Sequence, residues 1–375
     1  MITIKAKIDC CGCAACVQIC PKECIIFEED MEGFRYPHVD IRNCVNCGLC
    51  EKVCPVINKN DTSRPIMSYA AKNKNEYVRQ QSSSGGVFTL LSENCIRQGG
   101  VVFGARFDDN WEVKHSYTDN IDEISYYRGS KYLQSRIENT YSYAEGFLKQ
   151  GRKVMFVGTP CQIAGLKHYL RVEYTNLLTV DFVCHGVPSP LVWRDYLRYL
   201  AKNKVIQRVN FRNKDDGWKK YRVVVDGETN IINEPFYNNL FMRGFLSDVY
   251  LRPSCYLCPA KSGRSHSDIT LGDFWGIEKN LPVFDDDRGV SICLLNTDRG
   301  IDEFNSLDVD KCEVIYDQIL KGNPSLEQSA KYDNKYRAMY WNKSNHVEAI
   351  GYVLKKMEPT FVYKCMKRLR RIIGR

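Results

Sequence analysis

Cys10, Cys13, Cys16 and Cys20, followed by Pro21, follow the spacing C-x2-C-x2-C-x3-C-P, and Cys44, Cys47, Cys50 and Cys54 repeat it before Pro55. A C-x2-C-x2-C loop wraps three thiolates around one iron–sulfur cube, while the trailing cysteine ligates the cube held by the other loop. The spacing therefore assigns Cys10, Cys13, Cys16 and Cys54 to one 4Fe–4S cluster. Cys44, Cys47, Cys50 and Cys20 take a second. A tetrahedral four-cysteine zinc site needs neither the third C-x2 step nor the trailing x3-C-P. Cys11 and Cys24 fall outside the pattern and read as spectators.

Between the two loops, Ile25-Ile26-Phe27 and Phe34-Arg35-Tyr36-Pro37 flank an acidic turn, the pattern of a small β-hairpin. Residues 1–60 thus resemble a bacterial-type two-cluster ferredoxin domain. With 18 cysteines in 375 residues the chain is no disulfide-stapled mini-protein, and it has room for two or three domains. No apolar run reaches membrane-spanning length. Met1-Ile2-Thr3-Ile4-Lys5 leads into charge and cysteine instead of an apolar signal core. We read the protein as cytoplasmic, where clustered cysteines bind metal. The net charge is +8, but residues 351–375 carry eight Lys/Arg against one Glu, so the body is near neutral. A nucleic-acid groove is thereby excluded.

Further on, a polar linker (residues 58–65) precedes Ser82-Ser83-Ser84-Gly85-Gly86, which opens a helical pattern ended by Gly99-Gly100. Val101–Ala105 reads as a strand. A serine-glycine turn at a helix N-terminus offers backbone N–H groups to a phosphate, although most such turns are only caps. Lys153–Gly158 is a buried-strand pattern, Thr159-Pro160-Cys161 a turn, residues 162–170 a helix, and Leu177–Val183 a second strand ending at Cys184-His185-Gly186. Both cysteines then sit at the C-terminal ends of strands, the edge where open α/β sheets bind ligands. Cys255 and Cys258 form a later C-x2-C pair. Cys161, Cys184, Cys255 and Cys258 can supply a third cluster; the pair alone also suits half a zinc site or a redox dithiol. Cys95, Cys293, Cys312 and Cys365 have no ligand context. No G-x-G-x-x-G and no P-loop occur.

"SSSGG", "RGSKYLQS" (Arg128 to Ser135), "VGTPCQIAGLK" (Val157 to Lys167), "DFVCHGVPSP" and "SDITLGDFWG" (Ser267 to Gly276) resemble the coenzyme F420 hydrogenase/dehydrogenase beta-subunit family through most of residues 65–320. The resemblance implies a flavoprotein binding FAD and carrying 4Fe–4S clusters, the third cluster included. It implies cofactor contacts at Ser83, Ser84, Gly85, Gly86, Lys131, Tyr132, Thr159, Pro160, Asp268 and Asp273, and catalytic roles for Lys131 and Cys161. Lys131 would stabilise the anionic reduced flavin. Relatives accept electrons from reduced F420 or another two-electron partner, and many bacterial ones accompany polysaccharide synthesis.

The expected fold is α/β, α+β overall, with a small ferredoxin-like domain (1–60) followed by a larger mixed α/β flavin-binding domain. That domain has an N-terminal part (65–150) and a C-terminal part (151–345). A basic tail (346–375) ends the chain; its segment Lys364–Arg375 has helical amphipathic spacing that suits peripheral contact with the inner membrane face. The expected function is an iron–sulfur flavoprotein oxidoreductase passing electrons between a small two-electron substrate and a redox partner protein or ferredoxin. The alternatives are an electron-relay subunit without flavin, and a disulfide reductase using Cys255 and Cys258.

Overall fold

The computed structural model describes residues 1–357. The N-terminal region holds the antiparallel hairpin β1 (Ile25–Glu29) and β2 (Arg35–Val39), at the predicted place. The body is built on β3 (Met67–Asn73), β4 (Val101–Phe107), β5 (Val113–Thr118), β6 (Val154–Gly158) and β7 (Leu177–Phe182). A meander of β8 (Arg208–Asn213), β9 (Arg222–Asp226) and β10 (Asn230–Pro235) follows, then β11 (Ile269–Asp273), β12 (Ser291–Leu295) and β13 (Val309–Glu313).

Eight strands form one sheet in the order β13-β3-β12-β11-β7-β6-β4-β5. Its centre, β11-β7-β6-β4, is parallel and its flanks are antiparallel. Strands covered on both faces read as near-continuous apolar runs; Val154, Met155, Phe156, Leu177, Leu178 and Val180 are all buried, with Thr179 and Asp181 the buried polar exceptions in β7. The parallel strands end together at Phe107, Gly158, Phe182 and Asp273. The mixed α/β fold expected from sequence is the one observed.

Helix Val87–Arg97 begins at Gly86, whose φ of +82° is open to glycine at little cost. The β6–β7 crossover helix runs from Pro160 to Leu170, so Cys161 lies in its first turn and not in a preceding loop. Thr159 and Gln162 form a capping box and Pro160 occupies the first helical position, which moves the start two residues ahead of the sequence reading.

The segment read as a polar linker is hydrogen-bonded to the body. Asn60 donates to the Arg264 carbonyl (2.9 Å), and the Ser63 N–H to that of Ser262 (3.0 Å). The N-terminal region is docked on the body: Gln18 Oε1 accepts from Tyr141 N (3.0 Å), and Arg194 and Arg337 pair with Glu29 and Glu32 of the hairpin. Within the segment read as the basic tail, helix His346–Met357 buries Val347, Ile350, Val353 and Leu354 in the core around Trp193 and Tyr250. The amphipathic segment from Lys364 lies outside the described residues. Among those residues no helix is long and apolar enough to cross a membrane.

Candidate functional site

Three groups of cysteines are held by these elements. Cys16 senses the charge of Cys10, Cys54 and Cys50, and Cys13 that of Cys16 and Cys54, so the trailing cysteine of the second loop lies near the leading three of the first. Helix Pro160–Leu170 packs against this group at Gly165, where a Cβ would lie 2.8 Å from that of Cys13. Cys20, Cys44, Cys47 and Cys50 line a separate recess of about 350 Å³ near the surface, with Cys24 beside them. The Ile2 N–H donates to Cys50 Sγ (3.2 Å).

The third group sits at the C-terminal edge of the parallel strands. Cys161, Cys184, Cys255 and Cys258 line an open recess of about 540 Å³ together with Thr159, Pro160 and His185. Among the described residues no three His, Cys, Asp or Glu side chains close to the spacing of a single ion. Burial raises the thiols of Cys255 and Cys258, and that of Cys184 to about 12. A disulfide-exchanging dithiol needs the opposite shift. Cys11, read as a spectator, is the fifth thiol of this recess, close enough to Cys13 and Cys161 for both to act on its thiol. It therefore lies between the first and third groups.

The serine-glycine turn builds a neighbouring site. Ser83 Oγ accepts from the N–H of Ser130 (2.6 Å) and Ser83 O from Arg212 Nη2 (3.1 Å); Tyr132 Oη accepts from Arg212 Nη1 (3.1 Å). Lys131 Nζ donates to the carbonyls of Tyr127, Arg128 and Gly129 at 3.1–3.2 Å. Lys214 Nζ donates to those of Arg79 (2.7 Å), Ser84 (3.1 Å) and Arg288 (2.6 Å). Burial lowers both lysines to about 7, aided by Arg106 for Lys131 and by Arg212 and Arg79 for Lys214.

Among the described residues Arg106, Arg128, Lys131 and Lys214 have no carboxylate in ion-pair contact. Two buried polar atoms here, Arg212 Nε and His115 Nδ1, lack a partner. Helix Val87–Arg97 starts in this group without a side-chain cap. Uncompensated positive charge, unpartnered polar atoms and an open helix N-terminus fit an anionic dinucleotide such as FAD. Phe245 joins the two sites, meeting His185 edge-on at 5.3 Å and Tyr132 at 5.1 Å.

Several expected contacts have other work. Gly85 lacks a side chain because a Cβ would lie 2.3 Å from Ala71 O, so strand backbone, and no ligand, fills its place. Asp268 accepts from Thr179 N and Oγ1 (both 2.7 Å) and Thr297 Oγ1 (2.8 Å), fastening β7 to β11. Asp273 holds Arg212 (2.8 and 3.2 Å) and Trp218 Nε1 (3.0 Å). Both aspartates thus tie framework elements together. Thr159 and Pro160 belong to the cysteine recess. Sequence reasoning misses Arg212, Lys214, Arg106, Cys11 and His185; none stands in a repeated spacing, and only His185, next to Cys184 at a strand end, has a local signal.

Family models match along the chain. Residues 9–58 match the 4Fe-4S dicluster domain. Residues 68–140 match the N-terminal model of the coenzyme F420 hydrogenase/dehydrogenase beta subunit, and residues 151–315 its C-terminal model. An uncharacterized protein of Methanocaldococcus jannaschii is 25% identical over 303 residues, covering 72% of this chain and 81% of that one. One of the subunits of the F420H2 dehydrogenase of Methanosarcina mazei is 25% identical over 166 residues (41% of this chain, 46% of that one). The coenzyme F420-dependent sulfite reductase of M. jannaschii is 27% identical over 196 residues (50% and 29%). The chain thus spans less than half the length of these two named oxidoreductases. A chain of the F420-reducing [NiFe] hydrogenase complex from Methanosarcina barkeri superposes with a TM-score of 0.50 at 15% identity, covering 76% of this chain and 95% of that one, a likeness of fold. The protein is a member of the coenzyme F420 hydrogenase/dehydrogenase beta-subunit family with a 4Fe-4S dicluster domain at its N-terminal end.

Proposed function

We propose that this iron–sulfur oxidoreductase is an FAD-dependent enzyme that takes two electrons from a hydride donor and delivers them singly to a protein partner. The observation that carries the reading is adjacency. The cationic serine-glycine site, the five-thiol recess and the Cys10/Cys13/Cys16/Cys54 group follow one another through Phe245 and Cys11.

In this reading Cys10, Cys13, Cys16 and Cys54 hold one 4Fe–4S cluster, and Cys20, Cys44, Cys47 and Cys50 a second. Cys161, Cys184, Cys255 and Cys258 hold a third. FAD would be held by the N-terminus of helix Val87–Arg97 with Arg106, Arg128, Lys131, Lys214 and Arg212. A flavin accepts a hydride and gives up electrons one at a time, the conversion that joins such a donor to one-electron clusters. Lys131, lowered to about 7 by burial and Arg106 and held by three carbonyl acceptors, would take up a proton beside an anionic flavin and place positive charge where negative charge develops. Thr159, capped by Gln162, fixes Cys161 at the recess. The exit is the second group, where Cys47 is exposed beside Val45 (58% exposed), a surface suited to a redox protein.

Reduced F420 is the proposed donor, on the strength of the named relatives. A role beside polysaccharide synthesis rests on resemblance alone. Mixing oxygen-free holoprotein with reduced F420 tests the reading: each hydride supplies two electrons and should bleach two clusters. Bleaching by dithionite without any by reduced F420 would remove that donor.

A further inference from the structure

Arg252 is 1% exposed, and among the described residues no carboxylate pairs with it. Its Nε donates to Cys10 O (2.7 Å) and Nη1 to Gln134 Oε1 (2.9 Å). Nη2 reaches Arg35 O (2.9 Å) and Cys10 Sγ (3.4 Å), and the guanidinium lies 4.4 Å over the Tyr36 ring. Its side chain therefore ends in the N-terminal domain. Its main chain belongs to the third group: Arg252 O accepts from Cys255 N (2.9 Å), and Arg252 N donates to Val187 O (2.9 Å). Gly12 admits this approach, because at φ +74° a Cβ there would lie 2.9 Å from Arg252 Nη1. Cys10, Cys11 and Cys255 all act on this one cation.

A buried guanidinium with only neutral acceptors costs several kcal/mol unless an anion balances it. The cysteines at either end become anionic cluster ligands in the reading proposed above. We propose that Arg252 is the shared counter-ion of the Cys10/Cys13/Cys16/Cys54 cluster and the Cys161/Cys184/Cys255/Cys258 cluster, and that it holds both at higher potential than they would otherwise have. Net charge and hydrogen bonds to sulfur set cluster potentials, and one cation between two clusters levels the step between them. The Cys20/Cys44/Cys47/Cys50 recess does not include Arg252 and serves as an internal control.

The inference rests on the three-cluster reading, and the test separates the two. Wild type, Arg252→Gln and Arg252→Lys are purified without oxygen, assayed for iron, and titrated potentiometrically with electron paramagnetic resonance detection. Two of three midpoint potentials should fall in Arg252→Gln, the third should stay, and Arg252→Lys should shift less. Should Arg252→Gln lose iron, Gln134→Glu sets a carboxylate against Nη1 and should lower the same two potentials. Full iron with unmoved potentials, three equal shifts, or equal effects of Lys and Gln would overturn the counter-ion role. A wild-type count of about eight irons would overturn it together with the third cluster.

Discussion

Lys131 and Lys214 are the residues at which protonation and cofactor meet. Each is lowered to about 7, first by burial. At a pH of about 8 both are largely neutral in the protein without cofactor, whereas an anionic dinucleotide favours their charged forms. FAD binding should therefore take up protons at about pH 8 and few at about pH 6, and affinity should fall as pH rises through 7. Calorimetry in buffers of different ionisation enthalpy measures the uptake; equal heats at about pH 8 would contradict it. Lys131→Met should remove part of the uptake and lower the flavin potential. Cys11 is a second case. Cys10 has extended backbone (φ −136°, ψ 116°), and successive side chains of an extended chain point opposite ways. The neighbours thus serve different groups, and Cys11→Ser should keep about twelve irons because four other thiols line its recess.

At the scale of elements, two glycines let the cysteine loops approach the body. A Cβ on Gly165 would meet Cys13 Sγ at 2.9 Å, and one on Gly12 would meet Gln134 Nε2 at 2.5 Å. Gly165→Ala should destabilise the holoprotein by roughly 1–3 kcal/mol through overpacking and speed iron loss. Gly146→Ala, in helix Thr140–Lys149 with open space around it, should instead stabilise it by about 0.5–1 kcal/mol. Thermal midpoints of the anaerobic proteins separate the two; equal midpoints would show that the loops do not press on the helix.

The elements legible in the sequence are those with local patterns. The C-x2-C spacing, the apolar runs of β6 and β7 and the serine-glycine start of helix Val87–Arg97 all announce themselves within a few residues. The order of strands and the docking of Arg252 on Cys10, 242 positions away, have no local period. Asp268 and Asp273 escape a sequence reading for the same reason: their partners Thr179, Thr297 and Arg212 come from other strands and a distant helix cap.

For the whole molecule, the arrangement is a line of sites from a cationic cluster around the serine-glycine turn to an exposed cysteine group in the docked N-terminal domain. In the proposed function, the recess at the C-terminal strand ends is a cluster site lying between flavin and the dicluster domain. Replacing both Cys255 and Cys258 by Ser should cost about four of about twelve irons, leave the flavin bound, and block bleaching of the remaining clusters by reduced F420. The most direct measurement is the content of iron, sulfide and flavin per chain in anaerobically purified wild type. About twelve irons with one FAD is the result predicted here. About eight irons with no flavin would contradict it, leaving a dicluster domain that only relays electrons.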